Sequence, residues 1–167
     1  MRGEVGLRAD LAALGIAFTE QEHAAVFTVA ESSVLHDRLP GAHTKNLFLK
    51  DEGGAFWLLT VPAMARVALK ALPGAIGSKR VSFAKAEDME RLLGIAPGSV
   101  TPLAMINAVP GSVTVVLEDG LAAAPRLNVH PLRNTATIGL AGADMLRLLT
   151  HWGHAPLESA IPVVETT

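Results

Sequence analysis

The chain has 167 residues, half of them hydrophobic and 18% charged, with a formal net charge of -2 and no cysteine. This is enough chain for one domain with its own core and too apolar for disorder, and the missing thiols exclude cysteine nucleophiles, disulfides and cysteine-ligated zinc and suit a cytoplasmic protein. No apolar run approaches bilayer-spanning length, Met1-Arg2-Gly3-Glu4 opens a charged helical pattern and not a signal segment, and the charge requires any nucleic-acid partner to be held by a local basic patch.

Leu7, Leu11 and Leu14 share a helical face ahead of Gly15, which predicts a helix over 4–14. Ile16-Ala17-Phe18-Thr19 reads as a short strand. Thr28 and Glu31 have capping-box spacing, and Val34, Leu35 and Leu39 continue that segment as a helix until Pro40-Gly41. Leu47-Phe48-Leu49 and Ala55 to Val61, joined through Asp51-Glu52-Gly53-Gly54, predict a β-hairpin, with Lys45 at the start of its first strand.

Pro62 suits a first helical turn, and Ala65, Ala68, Leu69 and Leu72 predict a helix that Pro73-Gly74 ends. Val81-Ser82-Phe83 is a strand. Glu87 and Asp88 open a helix with Met89, Leu92 and Leu93 on its apolar side, closed by Gly94. A rigid loop, Pro97 to Pro102, precedes a strand at Val113–Leu117 closed by Glu118-Asp119-Gly120. Leu127–His130 and Thr135–Leu140 read as strands around the turn 131–134, and Met145, Leu146, Leu149 and Trp152 as a last helix capped by Gly153. Interspersed helices and strands with a tight hairpin predict a mixed α/β domain with antiparallel pairs, not a doubly wound parallel sheet.

The familiar catalytic signatures are missing: there is no Gly-x-Ser-x-Gly elbow, no phosphate-binding Gly-x-x-x-x-Gly-Lys loop and no His-Glu-x-x-His pair. His151 and His154 straddle a helix end, where capping explains them better than a metal. Three features can form a site: Lys45-Asn46, the Gly98–Pro102 loop, whose glycine lets backbone amides approach a ligand, and His130 near a strand end. Lys79, Arg80 and Lys85 fall together as a candidate basic patch.

Three segments carry a resemblance: Lys45-Asn46-Leu47-Phe48-Leu49-Lys50-Asp51, Leu93-Gly94-Ile95-Ala96-Pro97-Gly98-Ser99-Val100-Thr101-Pro102, and Asn128-Val129-His130-Pro131-Leu132-Arg133-Asn134-Thr135-Ala136-Thr137. In this order and spacing they resemble the YbaK/ProX family, free-standing relatives of the editing domain of bacterial prolyl-tRNA synthetases. The Lys-Asn-Leu-Phe-Leu-Lys-Asp form is similar to the branch that deacylates alanyl-tRNA(Pro); the cysteinyl-tRNA(Pro) branch and a non-catalytic aminoacyl-tRNA-binding module are the alternatives. An esterase acting on small acylated molecules is a further competitor.

The resemblance implies one editing domain over 1–167, built on a single mixed, largely antiparallel sheet or partial barrel flanked by helices. It implies hydrolysis of an aminoacyl ester by water, with help from the substrate's 2′-hydroxyl and without a protein nucleophile. Lys45 and Gly98 are the expected catalytic residues, Asn46, Ser99, Pro102, His130 and Val34 the expected substrate-binding set, and Lys50, Lys79, Arg80 and Lys85 the expected tRNA contacts. No metal or cofactor is expected. The expected partner is the alanine-bearing acceptor end of tRNA(Pro), met by a monomer that touches prolyl-tRNA synthetase at most transiently. Val129 departs from the bulkier residue expected before the histidine, which bears on pocket volume. The closing segment from His151 carries none of the motifs.

Overall fold

The computed structural model describes residues 1–25, 34 and 38–164. Its centre is β2 (Ala42–Asp51), a ten-residue strand whose two edges join every part of the sheet. One edge pairs antiparallel with β3 (Phe56–Pro62), from Thr44 opposite Pro62 to Lys50 opposite Phe56. The predicted hairpin is therefore present, its turn held by the Asp51 carboxylate, which accepts from the amides of Gly53 and Ala55 and from Trp57 Nε1.

The other edge of β2 is shared. Residues 42–43 pair in parallel with β6 (Leu127–Val129), while residues 49–51 pair antiparallel with β4 (Val81–Phe83). The sheet continues outward from β6 to β7 (Ala136–Leu140) and β1 (Thr19–Glu22), and from β3 to β5 (Val113–Glu118) and β8 (Leu157–Ser159). Parallel and antiparallel pairs are mixed, as the interspersed elements predict.

Alternation along β2 assigns its two faces. Phe48 joins the main core with Leu58, Leu103, Val115 and Ile138. Leu47 and Leu49 pack on the opposite face, in a second cluster with Leu59, Val61, Leu72 and Val116. The main core is closed by α1 (Glu4–Ala13) through Leu7 and Leu11, and by α5 (Gly142–His151) through Met145, Leu148 and Leu149. Between them come α3 (Ala86–Leu93), a 3-10 helix (Pro102–Asn107) and the short α4 (Asp119–Ala122). Glu87 and Asp88 occupy the first turn of α3, and Gly94 ends it at φ 67, a left-handed conformation that suits glycine.

Several elements differ from expectation. The chain from Pro62 to Leu72 is not a helix: β3 extends through Pro62, and Val67 bridges Val163 in the C-terminal segment. The amides of Ala68 and Val164 bond the carbonyls of Pro162 and Arg66, so a distant segment claims the backbone that a local helix would use. The helix here is instead α2 (Leu72–Ile76), which contains Pro73-Gly74; proline has no N–H to lose in a first turn. The strand expected at 16–19 lies at Thr19–Glu22, because Ile16 is core and the strand itself is wholly exposed and polar. The helix expected from Thr28 to Leu39 falls mostly outside the described residues; Val34 and Arg38 are helical within it.

Candidate functional site

Between its β6 and β4 contacts, residues 44–47 of β2 have no strand on their second edge among the described residues. Side chains bridge this gap. Thr44 Oγ1 donates to the Asn128 carbonyl at 2.6 Å, and Asn46 Nδ2 donates to the Val100 carbonyl at 3.0 Å, which moors the 98–102 loop to the strand. Thr60, fully buried opposite Asn46 on β3, donates its hydroxyl to Asn46 Oδ1 at 2.6 Å. A carbonyl can only accept, so Val100 fixes which way the amide faces, and Thr60 must then be the donor. Asn46 thus has both ends committed to holding the loop.

The moored loop is chemically equipped. Gly98 is exposed at φ 91, and a Cβ there would stand 3.8 Å from Asn134 Nδ2, so loop and turn 131–135 are neighbours. The amides of Gly98 and Val100 make no hydrogen bond among the described residues, whereas that of Ser99 bonds the Ala96 carbonyl. Free amides on a fixed loop are donors available to an oxygen that gains negative charge. Ser99 is half-buried. Pro102 is buried and starts the 3-10 helix, whose N-terminus is capped by Thr101 Oγ1 accepting from the Leu103 amide at 3.2 Å.

Lys45 leaves β2 on the face opposite Asn46 and is half-buried, and its ammonium makes no ion pair or hydrogen bond among the described residues. His130 is the residue that follows β6. Ala42 and His43 pair with Leu127 and Asn128, so the parallel register carried two residues further brings Lys45 level with His130 where β2 and β6 part. Val129 points into the main core, one face away from His130, so its size acts on packing rather than on the histidine's surroundings.

His130 Nδ1 lies 3.1 Å from the Ala136 carbonyl and must donate to it, leaving Nε2 with a lone pair. Burial pushes its pKa down; the Ala136 bond opposes this and nearby His23 adds to it, so the ring is neutral near pH 7. His23 bonds the Thr137 hydroxyl at 2.8 Å from the neighbouring strand. The turn after His130 is anchored by Arg133, which pairs with Glu4 at 3.0 Å and Glu22 at 3.2 Å. Leu132 within it has φ 72, the one non-glycine residue at positive φ among those described. Such a conformation costs on the order of 1–3 kcal/mol and persists where its surroundings hold it, here by packing on the core.

The cations expected to meet tRNA gather at the other end of the gap. Lys50, Lys79, Arg80 and Lys85 are all exposed. Lys50 lies over the Phe56 ring, 5.4 Å from its centroid. Asp51 ties Lys79 in place by accepting its amide at 3.2 Å. Burial raises the Asp51 pKa, but the bonds from Ala55, Trp57, Lys79 and Gly53 outweigh it and hold the carboxyl below its usual range. Arg80 faces Glu52 at 3.9 Å, and Asp88 is paired with Arg91 at 2.8 Å.

Val34 is helical and exposed, with neighbours on both sides outside the described residues. His154 is buried, bonded to the Ala108 carbonyl, and caps α5 through its amide. Among the described residues no three His, Cys, Asp or Glu side chains are grouped to hold a metal, and no helix is long and apolar enough to cross a membrane. Sequence reasoning missed Thr60, Thr44 and Arg133. Thr60 alone left a signal, a hydroxyl inside an apolar strand, which needs a partner once buried.

The chain was compared with known proteins. Residues 23–148 match the family model of the aminoacyl-tRNA editing domain. The chain is 38% identical over 152 residues to the prolyl-tRNA synthetase associated domain-containing protein 1 of Bos taurus, covering 88% of each chain. It is 31% identical over 142 residues to the prolyl-tRNA editing protein ProX of Acetoanaerobium sticklandii, covering 84% of this chain and 87% of that one. A solved structure of a candidate trans-editing enzyme for prolyl-tRNA synthetase superposes with a TM-score of 0.72 at 20% identity, covering 98% of this chain and 99% of the other, and shares the fold. The chain belongs to the aminoacyl-tRNA editing domain family, of the YbaK/ProX type, and is an aminoacyl-tRNA deacylase.

Proposed function

We propose that this deacylase removes alanine from mischarged tRNA(Pro), with the site centred on Lys45, the Gly98 loop and His130. The observation that carries the reading is the open stretch of β2, where Lys45 leaves the strand and Asn46 holds in place a loop with two uncommitted amides. An aminoacyl ester is already activated, so catalysis needs the carbonyl polarised and the attacking water positioned.

Water attacks the ester carbonyl, the bond to the ribose oxygen breaks, and alanine and tRNA leave. Gly98 and Val100 amides stabilise the oxyanion of the tetrahedral intermediate. The Lys45 ammonium neutralises the terminal phosphate or the same developing charge, and the substrate's 2′-hydroxyl assists proton transfer. Neutral His130 offers the Nε2 lone pair to a donor on the substrate, and Ser99, Pro102 and Val34 complete the pocket. No side-chain nucleophile takes part.

A proline-shaped synthetase pocket cannot exclude alanine strongly, since missing methylenes are worth only about 1–3 kcal/mol, and a second, smaller sieve corrects the error. The ProX name and the prolyl-tRNA synthetase association of the relatives support tRNA(Pro) as the carrier. Single-turnover deacylation by Lys45→Ala tests the assignment. Loss of a charge-assisted contact predicts a fall of roughly 30- to 1,000-fold in a protein that melts normally, with Lys45→Arg recovering part. A folded Lys45→Ala at wild-type rate removes Lys45 from the site.

A further inference from the structure

The exposed large apolar side chains among the described residues include one aromatic, Phe83, which is 63% exposed. It ends β4, which among the described residues pairs only with β2. Cations bracket the strand: Lys79 and Arg80 precede it, Lys85 follows it, and Lys50 lies in the adjoining strand opposite Ser82. A phenyl ring left in water among exposed cations suits a ligand that offers both flat apolar faces and phosphates, which is a single-stranded nucleic acid.

The position is specific. Phe83 pairs with Leu49, so it shares the face of β2 that carries Lys45, and it stands at the end of β4 nearest the gap. Leu49 lies four residue steps along the strand from Lys45, about 13 Å at ~3.3 Å per residue. At ~3.4 Å per stacked nucleotide this is about four nucleotides, the scale of the unpaired 3′ tail of a tRNA. We propose that Phe83 is a stacking platform for the base at the stem-proximal end of that tail, while the terminal adenosine lies at Lys45. The inference rests on the editing function proposed above and extends it to the nucleotides before the reacting end. The neighbouring cations hold the phosphates on either side, and the ring fixes the register that delivers the ester to the Gly98 loop.

The test uses Phe83→Leu, which keeps apolar area but loses the π face, and Phe83→Trp, which keeps both. Binding of uncharged tRNA(Pro) is measured by filter retention with the intact tRNA and with tRNA trimmed of its single-stranded tail, beside wild-type deacylation of alanyl-tRNA(Pro). Base–aromatic stacking predicts that Phe83→Leu binds intact tRNA about ten-fold more weakly, that Phe83→Trp matches wild type, and that all three bind trimmed tRNA alike. Wild-type affinity of Phe83→Leu for intact tRNA, or an equal loss on trimmed tRNA, overturns the platform and leaves the editing reading intact if the wild type still deacylates. A wild type that does not deacylate alanyl-tRNA(Pro) overturns the editing reading and the platform with it.

Discussion

Asn46 is the residue whose removal should be felt furthest from where it acts. Asn46→Ala deletes two hydrogen bonds, one to the Val100 carbonyl at 3.0 Å and one from Thr60 at 2.6 Å. Each net bond is worth about 1 kcal/mol, and the stranded Thr60 hydroxyl, which has no exposed surface, adds an unpaired-group cost of about 1–3 kcal/mol. The expected destabilisation is therefore about 3 kcal/mol. Thr60→Val keeps the side chain's shape and strands only Asn46 Oδ1, so about 1–2 kcal/mol is expected. In the double variant neither member of the Thr60–Asn46 pair is left without the other, and its cost should fall below the sum of the singles by about 1 kcal/mol or more.

Urea unfolding of the four proteins measures that coupling. Single-turnover deacylation of the same set shows whether it reaches the Gly98 loop: both single variants should lose rate while folded, and Thr60→Ser should recover it by restoring the donor. Strict additivity of the two stability losses, or a full rate for folded Asn46→Ala, would refute the mooring role.

His130 gives a pH prediction. Its folded pKa lies below the ordinary value of about 6.5, so the unfolded chain takes up the proton first as pH falls. Stability should decline from about pH 6.5 down to the folded pKa and then level, and His130→Gln should flatten that segment of a pH–stability profile. If tRNA is held through Lys50, Lys79, Arg80 and Lys85, kcat/KM at subsaturating tRNA should fall steeply with salt, and each replacement should lower the log–log slope by about one. A salt-independent rate would favour a small-ester substrate.

Legibility in the sequence followed the range of the forces involved. Leu47-Phe48-Leu49 and the run after Gly54 announced the hairpin because alternation and a short loop are local properties, and Gly94 marked the end of α3 for the same reason. Ala65, Ala68, Leu69 and Leu72 matched a helical period, yet Val67 is bridged to Val163, and no local pattern records a partner so distant in sequence. Thr19–Glu22 carries no apolar stripe because an exposed edge strand buries none. At the site, the chemistry-bearing residues could be named from their motifs. Their division between the two faces of β2, and the Thr60–Asn46–Val100 chain that holds the loop, depend on cross-strand register and loop placement that the motifs do not encode.

The central claim is alanine editing on tRNA(Pro), and the most direct measurement is wild-type deacylation of alanyl-, prolyl- and cysteinyl-tRNA(Pro) beside a small alanyl ester at matched concentration. The account predicts rapid loss of alanine from the tRNA and slow loss of proline and cysteine, with the small ester a poor substrate for want of its phosphates. Equal rates on alanyl- and prolyl-tRNA(Pro), or a preference for the cysteinyl form or the small ester, would contradict it.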